Sequence, residues 1–459
     1  MSVVLFLVLV IILALVVEFL RQWWVKITEI PQIPKLKDVW WTDQDPAQED
    51  STIQPFKIHV PDEALEDLKN RLSNAKPLTH PLESIQHQYG INTKLLNEII
   101  EFWRTKYNWR EREAFLNKFP QYTVNVQGLR IHYLHVKPTE TADLKVVPIL
   151  LLHGWPGSIR EFYELIPILT NPQPGRRFIF EVIAPSLPGF GFSQAATKPG
   201  LGAVQLAVVF KNFMQKLGFE KYYIQGGDWG AIIVQHMATL YPEHILGLHS
   251  NMCYATSFMI TLKTLLFSLK PSWFLEDRFV KRLYPLKEYY ANRLLETGYV
   301  HLQATKPDTI GVGLADSPIG LAAYILEKFI TWTNPEYKNS FDGGLNEKFS
   351  YANLLDNVMI YWITNSITTS MRLYAETFSL KQKRLNVDKI PITIPAAYAR
   401  FSHEIIYTPR CLLEEKFKKL LHESDYEGGH FAAFECPNIL ANDIYEAVAR
   451  FERYYMYGY

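Results

Sequence analysis

The chain has 459 residues, 48% of them hydrophobic, and this length predicts a core with inserted or added pieces rather than one minimal domain. Its 47 Lys and Arg balance its 47 Asp and Glu, so no net charge draws it to nucleic acid. The three cysteines form no CxxC motif and predict neither a metal site nor a disulfide framework, as expected in a reducing compartment.

The first predicted element is an apolar stretch from residue 2 to residue 20, broken only by Glu18. About 19 apolar residues, each rising roughly 1.5 Å, nearly cross a hydrocarbon core of about 30 Å. This predicts a single transmembrane anchor over residues 1–21. A cleaved secretory signal is the alternative, but the stretch has no basic start and no small-x-small cleavage site. Basic residues and the pair Trp23-Trp24 follow it, so the positive-inside rule predicts that the body lies in the cytosol.

An added N-terminal region, residues 22–118, follows the anchor and is predicted to pack against the main domain. Residues 56–60 alternate between apolar and polar, which predicts a strand. Helices are predicted over residues 63–74 and 93–107, where apolar residues recur on one face.

Residues 119–251 are predicted to form the first part of an α/β core. Residues 122–136 have the pattern of a hairpin that turns at Gln127 and Gly128. Continuous apolar runs such as residues 146–152 are typical of parallel strands buried on both faces. These runs alternate with helical patterns, and the alternation predicts a mostly parallel, doubly wound sheet.

The alternation stops at residue 252, and residues 252–379 are predicted to be an inserted helical cap over the carboxyl edge of the sheet. Within the cap, helices are predicted over residues 259–269, 319–332 and 358–374. Residues 380–459 are predicted to complete the core with two strands and a closing helix, over residues 392–398, 424–427 and 439–454.

The turn from Gly226 to Gly230 has the spacing of a nucleophile elbow, a strained strand-to-helix turn that closes only with small neighbours. Its apex is Asp228 rather than the usual Ser. A carboxylate that attacks a saturated carbon leaves an ester, which water can cleave, whereas a serine would leave an ether. The turn therefore favours displacement at carbon, as in epoxide opening or dehalogenation. The alternative is that Asp228 only caps the helix that follows it.

Further site residues are predicted beyond the carboxyl ends of the strands, where open α/β sheets bind ligands. His430 is the predicted general base, and Glu404 is the acid that would orient it. The chain order of nucleophile, acid and histidine matches that of α/β-hydrolases. Glu404 could instead be an exposed loop acid, and the neighbouring His403 is expected to be structural.

The backbone N–H groups of Trp155 and Trp229 are predicted to form an oxyanion hole, and their rings to line the substrate pocket. Trp155 lies in the loop His153-Gly-Trp-Pro-Gly-Ser158, for which we predict a tight turn with a cis peptide before Pro156. The alternative is an ordinary connection in which Ser158 caps the next helix.

Three segments, residues 153–158, 226–230 and 428–435, together resemble motifs of the microsomal-type epoxide hydrolases, and the resemblance covers nearly the whole chain. Within that family, the insect enzymes that act on juvenile hormone are the most similar. The resemblance implies an α/β-hydrolase fold and hydrolysis of a lipophilic epoxide to a diol through a covalent aspartyl ester. It also implies anchoring in the membrane of the endoplasmic reticulum, and it calls for no metal or organic cofactor.

The resemblance further implies that two cap tyrosines, Tyr299 and Tyr374, donate protons to the epoxide oxygen. A phenol with a pKa near 10 can do this while it is uncharged at rest. Three other functions stay open: hydrolysis of xenobiotic arene and alkene oxides, dehalogenation by an Asp nucleophile, and non-catalytic binding of a lipophilic hormone.

Overall fold

The computed structural model describes residues 3–48, 50, 52–141 and 143–458. Within these residues nine strands form: β1 Gln54–Phe56, β2 Gln121–Val126, β3 Leu129–Val136, β4 Lys145–Leu152, β5 Phe178–Pro185, β6 Tyr222–Gly226, β7 Ile245–Ser250, β8 Ala396–Phe401 and β9 Leu420–Tyr426. They make one sheet in the order β1-β2-β3-β5-β4-β6-β7-β8-β9. Neighbours are antiparallel from β1 to β5 and parallel from β5 to β9. This confirms the predicted hairpin and the mostly parallel sheet.

The middle of the sheet is buried on both faces, as its apolar runs predict. All five residues of β6 are buried, and so are the last four residues of β4. The two strands pair in parallel from Ile149 and Tyr223 to Leu152 and Gly226, so they end at the same level. The loop after β4 and the turn after β6 therefore lie side by side at the carboxyl edge.

In the described residues before the core, four α-helices form: α1 Val3–Thr28, α2 Asp62–Ser73, α3 Thr93–Thr105 and α4 Trp109–Leu116. The predictions of α2 and α3 are confirmed to within two residues at each end. The predicted strand over residues 56–60 is wrong, since only its first residue belongs to β1. The N–H groups of Ile58 and Val60 instead donate to the side chains of Asn117 and Glu113, at 2.9 and 2.7 Å.

Helix α1 extends beyond the predicted end of the anchor at residue 21. Its part from Leu5 to Thr28 contains an 18-residue window with a mean hydropathy of 2.5, and it is long and apolar enough to cross a membrane. Met1 and Ser2, which the prediction included, lie outside the described residues. Near its end, the rings of Trp23 and Trp24 contact that of Phe258 at centroid distances of 5.5 and 6.4 Å.

The core helices between strands are α5 Leu165–Thr170, α6 Ala203–Lys216 and α7 Asp228–Leu240. After the Trp155 loop a single helix over residues 159–169 is expected, but the structure has a short 3-10 helix, Ile159–Phe162, followed by α5. Pro167 has no N–H to donate to the preceding turn, so a continuous helix would lose a bond there, and Pro167 lies in the first turn of α5 instead.

Ten helices lie between β7 and β8 in the described chain: α8 Phe258–Phe267, α9 Asp277–Val280, α10 Leu286–Glu296, α11 Gly298–Thr305, α12 Pro307–Asp316, α13 Pro318–Thr331, α14 Leu345–Lys348, α15 Tyr351–Ile363, α16 Ile367–Thr377 and α17 Leu380–Lys383. The single helix predicted over residues 358–374 is wrong. Asn365 has a φ of 50°, a left-handed conformation that ends α15 and lets α16 start in a new direction.

After β8, the structure describes three further helices: α18 Arg410–Leu413, α19 Ala432–Glu435 and α20 Pro437–Tyr457. The predicted strand over residues 392–398 is displaced, because β8 starts only after Pro395, which has no N–H for a central strand. Ile392 forms no more than an isolated bridge with Phe417. The last predicted strand is longer than expected and begins at Leu420.

One buried carboxylate joins the N-terminal region, the core and the cap. Asp356 of α15 accepts hydrogen bonds from Arg112 Nε on α4 at 2.7 Å, from Arg160 Nε at 2.9 Å and from the Tyr107 hydroxyl at 3.0 Å. Its side chain has no exposed surface. Because Arg160 directly follows the Trp155 loop, this network also fixes one wall of the region where β4 and β6 end.

Candidate active site

The turn between β6 and α7 has the strained geometry that its sequence predicts. Asp228 has a φ of 50°, in the left-handed region that non-glycine residues seldom adopt. A Cβ atom on Gly230 would overlap the carbonyl oxygen of Leu152, and one on Gly226 would overlap the Gly230 backbone. Only small residues at these two positions let the turn close against β4, and the closed turn presents Asp228 at the carboxyl edge.

The Asp228 carboxylate points away from its own helix. Its Oδ1 accepts a hydrogen bond from the Trp155 N–H at 2.7 Å, and its Oδ2 lies 3.3 Å from His430 Nε2. Among the described residues it makes no hydrogen bond to the first amides of α7, so the helix-cap alternative does not describe this side chain. Gly154 makes the approach of the loop feasible, because a Cβ there would overlap the carboxylate.

Glu404 and His430 meet although they follow different strands, β8 and β9. His430 Nδ1 lies 2.6 Å from Glu404 Oε1, which also accepts the N–H of Ile405 at 2.7 Å. The Glu404 side chain is fully buried, so it is not an exposed loop acid. His403 points elsewhere, towards Glu427 at 4.0 Å. The imidazole is thus held between two carboxylates, with one ring nitrogen on each.

The charge of His430 depends on these two carboxylates. Burial alone would lower the pKa of the imidazole, but the negative charges of Glu404 and Asp228 outweigh burial and raise it well above its usual value. With both carboxylates ionised, His430 is therefore protonated at neutral pH. Loss of the charge on Asp228 would remove one of the two contributions that raise this pKa.

A second buried acid fixes the loop that carries His430. Glu435 accepts the N–H groups of Gly429 and Phe431, both at 2.9 Å, and burial raises its pKa to about 7. The backbone N–H of His430 donates to the backbone carbonyl of Trp332 at the end of α13, at 2.9 Å. The imidazole is thus positioned from the core and from the cap together.

The two cap tyrosines lie over the elbow. Tyr299 on α11 stacks on the Trp155 ring at 5.5 Å, and Tyr374 on α16 lies edge-on to the Trp229 ring at 4.6 Å. The centroids of the two phenol rings are 6.0 Å apart. Burial raises the pKa of both hydroxyls well above 10, and the Asp228 charge adds to this. Both phenols are therefore uncharged at neutral pH and can donate hydrogen bonds.

The structure brings one of the two predicted oxyanion donors onto Asp228. The Trp155 amide donates to the carboxylate, and the Trp155–Pro156 peptide is cis, as expected from the sequence. Within the described chain, the Trp229 amide makes no hydrogen bond with Asp228. The side chain of Ser158 accepts the backbone N–H of Arg160 at 3.2 Å. Ser158 therefore also caps the helix that follows the loop, as the alternative interpretation predicts.

A small cavity of about 20 Å³ lies behind the Asp228 carboxylate. Its lining includes His430, Gln225, Asn251 and Glu161. Oε1 of Gln225 and Oε1 of Glu161 are buried without a hydrogen-bond partner in the described residues. A polar cavity of this size holds about one water molecule. Such a water would lie next to the nucleophile and to the imidazole.

Glu161 is the site residue that sequence reasoning missed. Its Oε1 is buried and lies against Gly157, and burial of the carboxyl group raises its pKa to about 8, so the group is mostly neutral at pH 7. An acid in the first turn of a helix is a common stabilising feature, so the sequence gives no reason to assign Glu161 to the site. Its sequence signal is weak: it lies only three residues after the end of the conspicuous Trp155 loop, in the 3-10 helix Ile159–Phe162. Gln225 gives a clearer signal, because it is polar within the apolar strand β6.

The assembled groups suit a reaction that makes and then cleaves an ester. The site combines a carboxylate at a strained turn, a buried imidazole with its own acid, and two neutral phenols. All of these groups lie close to the Asp228 carboxylate. Among the described residues, no group of three or more His, Cys, Asp or Glu side chains is arranged to hold a metal ion.

Comparison with known proteins gives a consistent picture. Residues 53–162 match the family model of the epoxide hydrolase N terminus, and residues 147–388 match that of the alpha/beta hydrolase fold. Juvenile hormone epoxide hydrolase 1 of Ctenocephalides felis is 51% identical over 93% of this chain and 91% of its own. Epoxide hydrolase 1 of Oryctolagus cuniculus is 42% identical, over 96% and 99%. The crystal structure of juvenile hormone epoxide hydrolase from Bombyx mori, 47% identical, superposes with a TM-score of 0.89 over 91% of this chain and 99% of that one. The chain therefore belongs to the epoxide hydrolases of the α/β-hydrolase fold.

Proposed function

We propose that this protein hydrolyses a lipophilic epoxide, juvenile hormone, to the vicinal diol through a covalent ester on Asp228. The observation that carries the proposal is the position of that carboxylate. It is held at a left-handed turn by the Trp155 amide, faces His430, and lies below the two neutral phenols of Tyr299 and Tyr374.

In the first half of the reaction, an oxygen of Asp228 attacks one epoxide carbon and the carbon–oxygen bond of the ring breaks. The ring oxygen leaves as an alkoxide and takes a proton from Tyr299 or Tyr374, which hydrogen-bond it from the cap. The buried aromatic walls exclude water that would otherwise solvate the carboxylate and weaken its attack.

Formation of the ester changes the charge state of the imidazole. Asp228 loses its negative charge, so one of the two groups that raise the pKa of His430 is gone. His430 then gives its proton to the tyrosinate left by the first half. The imidazole becomes a neutral base only after the ester exists, which is when a base is needed.

In the second half, His430 takes a proton from water and the hydroxide adds to the carbonyl carbon of the ester. The Trp155 amide stabilises the oxyanion, with the Trp229 amide as the second proposed donor. The tetrahedral adduct collapses, the diol leaves with the proton of the added hydroxyl, and Asp228 and protonated His430 are restored. The sum is one epoxide and one water giving one diol.

A single turnover in heavy-oxygen water tests the covalent scheme. With enzyme in excess over epoxide, the label is expected in the Asp228 carboxylate, because water attacks the ester carbonyl and the original aspartate oxygen leaves with the diol. Peptide mass spectrometry of the segment around Asp228 measures this. Label that enters the diol directly would mean that water opens the epoxide and that no ester forms.

The choice of juvenile hormone is supported by relatives named for it, 51% and 47% identical to this chain. Hydrolysis of xenobiotic oxides is the second candidate, supported by the 42% identity to epoxide hydrolase 1. Comparing kcat/KM for juvenile hormone with that for styrene oxide and stilbene oxide decides between them. A higher value for the aromatic oxides would overturn the hormone as the main substrate.

Two other functions fit the site less well. A dehalogenase needs halide-binding groups where this site has Tyr299 and Tyr374, and a non-catalytic binder needs no base paired with a buried acid. Replacing both tyrosines by Phe separates these options, since epoxide opening needs the hydroxyls. Retention of full epoxide turnover would remove the phenols from the proposal.

We also propose that the protein is a single-pass protein of the endoplasmic reticulum membrane, anchored by α1, with its body in the cytosol. The apolar length of α1 supports the anchor, and the basic residues at and after its C-terminal end, Lys26, Lys35 and Lys37, support this orientation. A glycosylation acceptor placed before α1 should be modified in microsomes, whereas one placed at the exposed Leu82 should not. The opposite pattern would place the body in the lumen.

A further inference from the structure

The cap carries an apolar helix that the protein itself hardly covers. Of the ten residues of α8, only Ile260 and Phe267 are buried. A helix that is apolar on all sides is usually enclosed by protein or by lipid. The one charged residue of α8, Lys263, is paired with Glu415 of the core. Most of the apolar surface of α8 therefore faces outward.

The apolar surface continues into the segment that follows α8. Phe274 folds back and stacks on Phe267 with ring centroids 4.0 Å apart, so residues 268–274 lie against the end of the helix. We call α8 together with residues 268–274 the cap patch. Its exposed large side chains are Phe258, Leu265, Leu266, Leu269, Trp273 and Phe274, of which Leu269 and Trp273 are 82% and 77% exposed. A contiguous apolar surface of this kind marks an interaction site.

The cap patch adjoins the proposed membrane anchor. Phe258, the first residue of α8, receives the edges of both Trp23 and Trp24, the aromatic pair near the end of α1. Tryptophans at the end of a transmembrane helix lie at the level of the lipid headgroups. The patch therefore begins at the depth at which α1 leaves the hydrocarbon core.

The charge around the patch favours a lipid surface over a neutral protein partner. Residues 257–295 contain seven Lys and Arg against three Asp and Glu, in a chain whose total charge is balanced. Basic residues beside an apolar surface are attracted by the anionic lipids of a cytosolic leaflet. An amphipathic element with these properties lies in the plane of the membrane surface.

We propose that the cap patch inserts into the interfacial layer of the same bilayer that α1 spans, as a second and separate membrane contact. This proposal rests on the proposed anchoring by α1. With two contacts, the anchor cannot swivel freely under the body, and the cap is held against the membrane in one orientation.

Spin labels on the full-length protein test the second contact. The variants L269C in the patch, L13C in α1 and V312C on α12, outside the patch, each carry one label, in vesicles of phosphatidylcholine with phosphatidylserine. Val312 is 72% exposed and lies beside α2, so it matches Leu269 in exposure. The readout is the collision rate with oxygen relative to that with a water-soluble nickel chelate, and the unsubstituted protein gives the background from Cys411.

The label at Leu269 is expected to show a several-fold higher ratio of oxygen to nickel collisions than the label at Val312, though lower than the label at Leu13. A label at Leu269 as accessible to nickel as that at Val312, with Leu13 still in lipid, overturns the cap contact and leaves the anchor intact. A Leu13 label in water would instead contradict the anchor. Dipolar broadening between Leu269 labels would assign the patch to contact between two copies, which also overturns the proposal.

Discussion

Two buried clusters of carboxylate and imidazole can be compared within the described part of the chain, and only one of these two is built as a reactive site. In the first, His430 lies between Glu404 and Asp228. In the second, Asp443 of α20 lies between two imidazoles, 2.9 Å from Nε2 of one and 2.7 Å from Nε2 of the other. These belong to His249 on β7 and His422 on β9. Composition and burial alone do not distinguish the two clusters.

Their backbones and their unused hydrogen-bonding capacity do distinguish them. Asp443 lies within a regular helix, and its carboxylate also accepts the Tyr426 hydroxyl at 2.7 Å, so three donors hold it. Burial tends to raise its pKa, but the hydrogen bonds from the imidazoles outweigh this and lower it. Asp228 lies at a left-handed turn beside a cavity. Gln225 and Glu161 line this cavity, and the Oε1 atom of each is without a hydrogen-bond partner in the described residues. A buried acid beside a histidine becomes a nucleophilic site only where a turn presents it and a cavity admits a reactant.

The largest predicted difference comes from replacing one imidazole in each cluster. His430→Gln removes the base, so hydrolysis of the ester should slow by about 10²–10⁴-fold while the ester still forms. Intact mass spectrometry after mixing with excess epoxide should show a gain of one substrate mass. His422→Gln is the matched control, and its folded fraction should turn over without an adduct. An adduct on the control, or none on His430→Gln, would contradict the distinction between the clusters.

The second prediction concerns the cap side of the reactive cluster. Tyr299→Phe or Tyr374→Phe should slow ester formation by about tenfold or more, and the double variant by about 10²–10⁴-fold, because the leaving oxygen loses its proton donors. The quench of Trp fluorescence in rapid mixing reports this step, since Trp155 and Trp229 touch the two phenols. Tyr324→Phe is the control, because Tyr324 also contacts Trp155 but bonds Gln303. An equal loss in the control would point to packing rather than proton donation.

The two sides of the site also differ in how far the sequence predicts them. The elbow follows from the spacing of two glycines around Asp228, and the chain order then selects Glu404 and His430 from many candidates. Asp228 follows a strand with a visible apolar pattern, whereas Glu404 and His430 follow strands that the sequence locates less exactly, since β8 starts only after Pro395 and β9 is largely polar. The sheet makes such positions converge whatever the details of packing, so local pattern and topology suffice for them.

In the cap, no strand ends mark where the site residues lie. Nothing local separates Tyr299 and Tyr374 from the other tyrosines, 26 in all, and only the resemblance to a family identifies them. The break at Asn365 was missed because it involves neither Gly nor Pro, yet it turns α16 away from α15. Glu161 was missed because its burial comes from tertiary packing. Positions set by helix packing rather than by a sheet edge are the ones that sequence patterns do not reveal.

The third prediction tests whether the cavity behind Asp228 contributes to ester hydrolysis. Burial raises the pKa of Glu161 to about 8, so the acid is neutral below that pH and becomes charged above it. Glu161→Gln keeps the shape and the uncharged state but removes the titration, so at pH 7 it should leave ester formation unchanged and ester hydrolysis close to the unmodified rate. The rate of that step should fall above about pH 8 in the unmodified protein and not in the variant. Identical pH profiles would leave Glu161 with a packing role only.

The smallest predicted effect on catalysis belongs to the second cluster, where the effect should be on stability. Asp443→Asn leaves buried imidazoles without their anion and should lower the free energy of unfolding by about 3 kcal/mol, without changing turnover per folded molecule. Because the pKa of Asp443 is lowered in the folded state, its contribution is complete above about pH 4 and is lost as the pH falls through the folded value. Urea unfolding at several pH values should therefore show a gap between the two proteins that shrinks only in acid. If the variant instead loses turnover at unchanged stability, Asp443 influences the reaction across the sheet, and a strained turn with a cavity is not the sole feature that separates the two clusters.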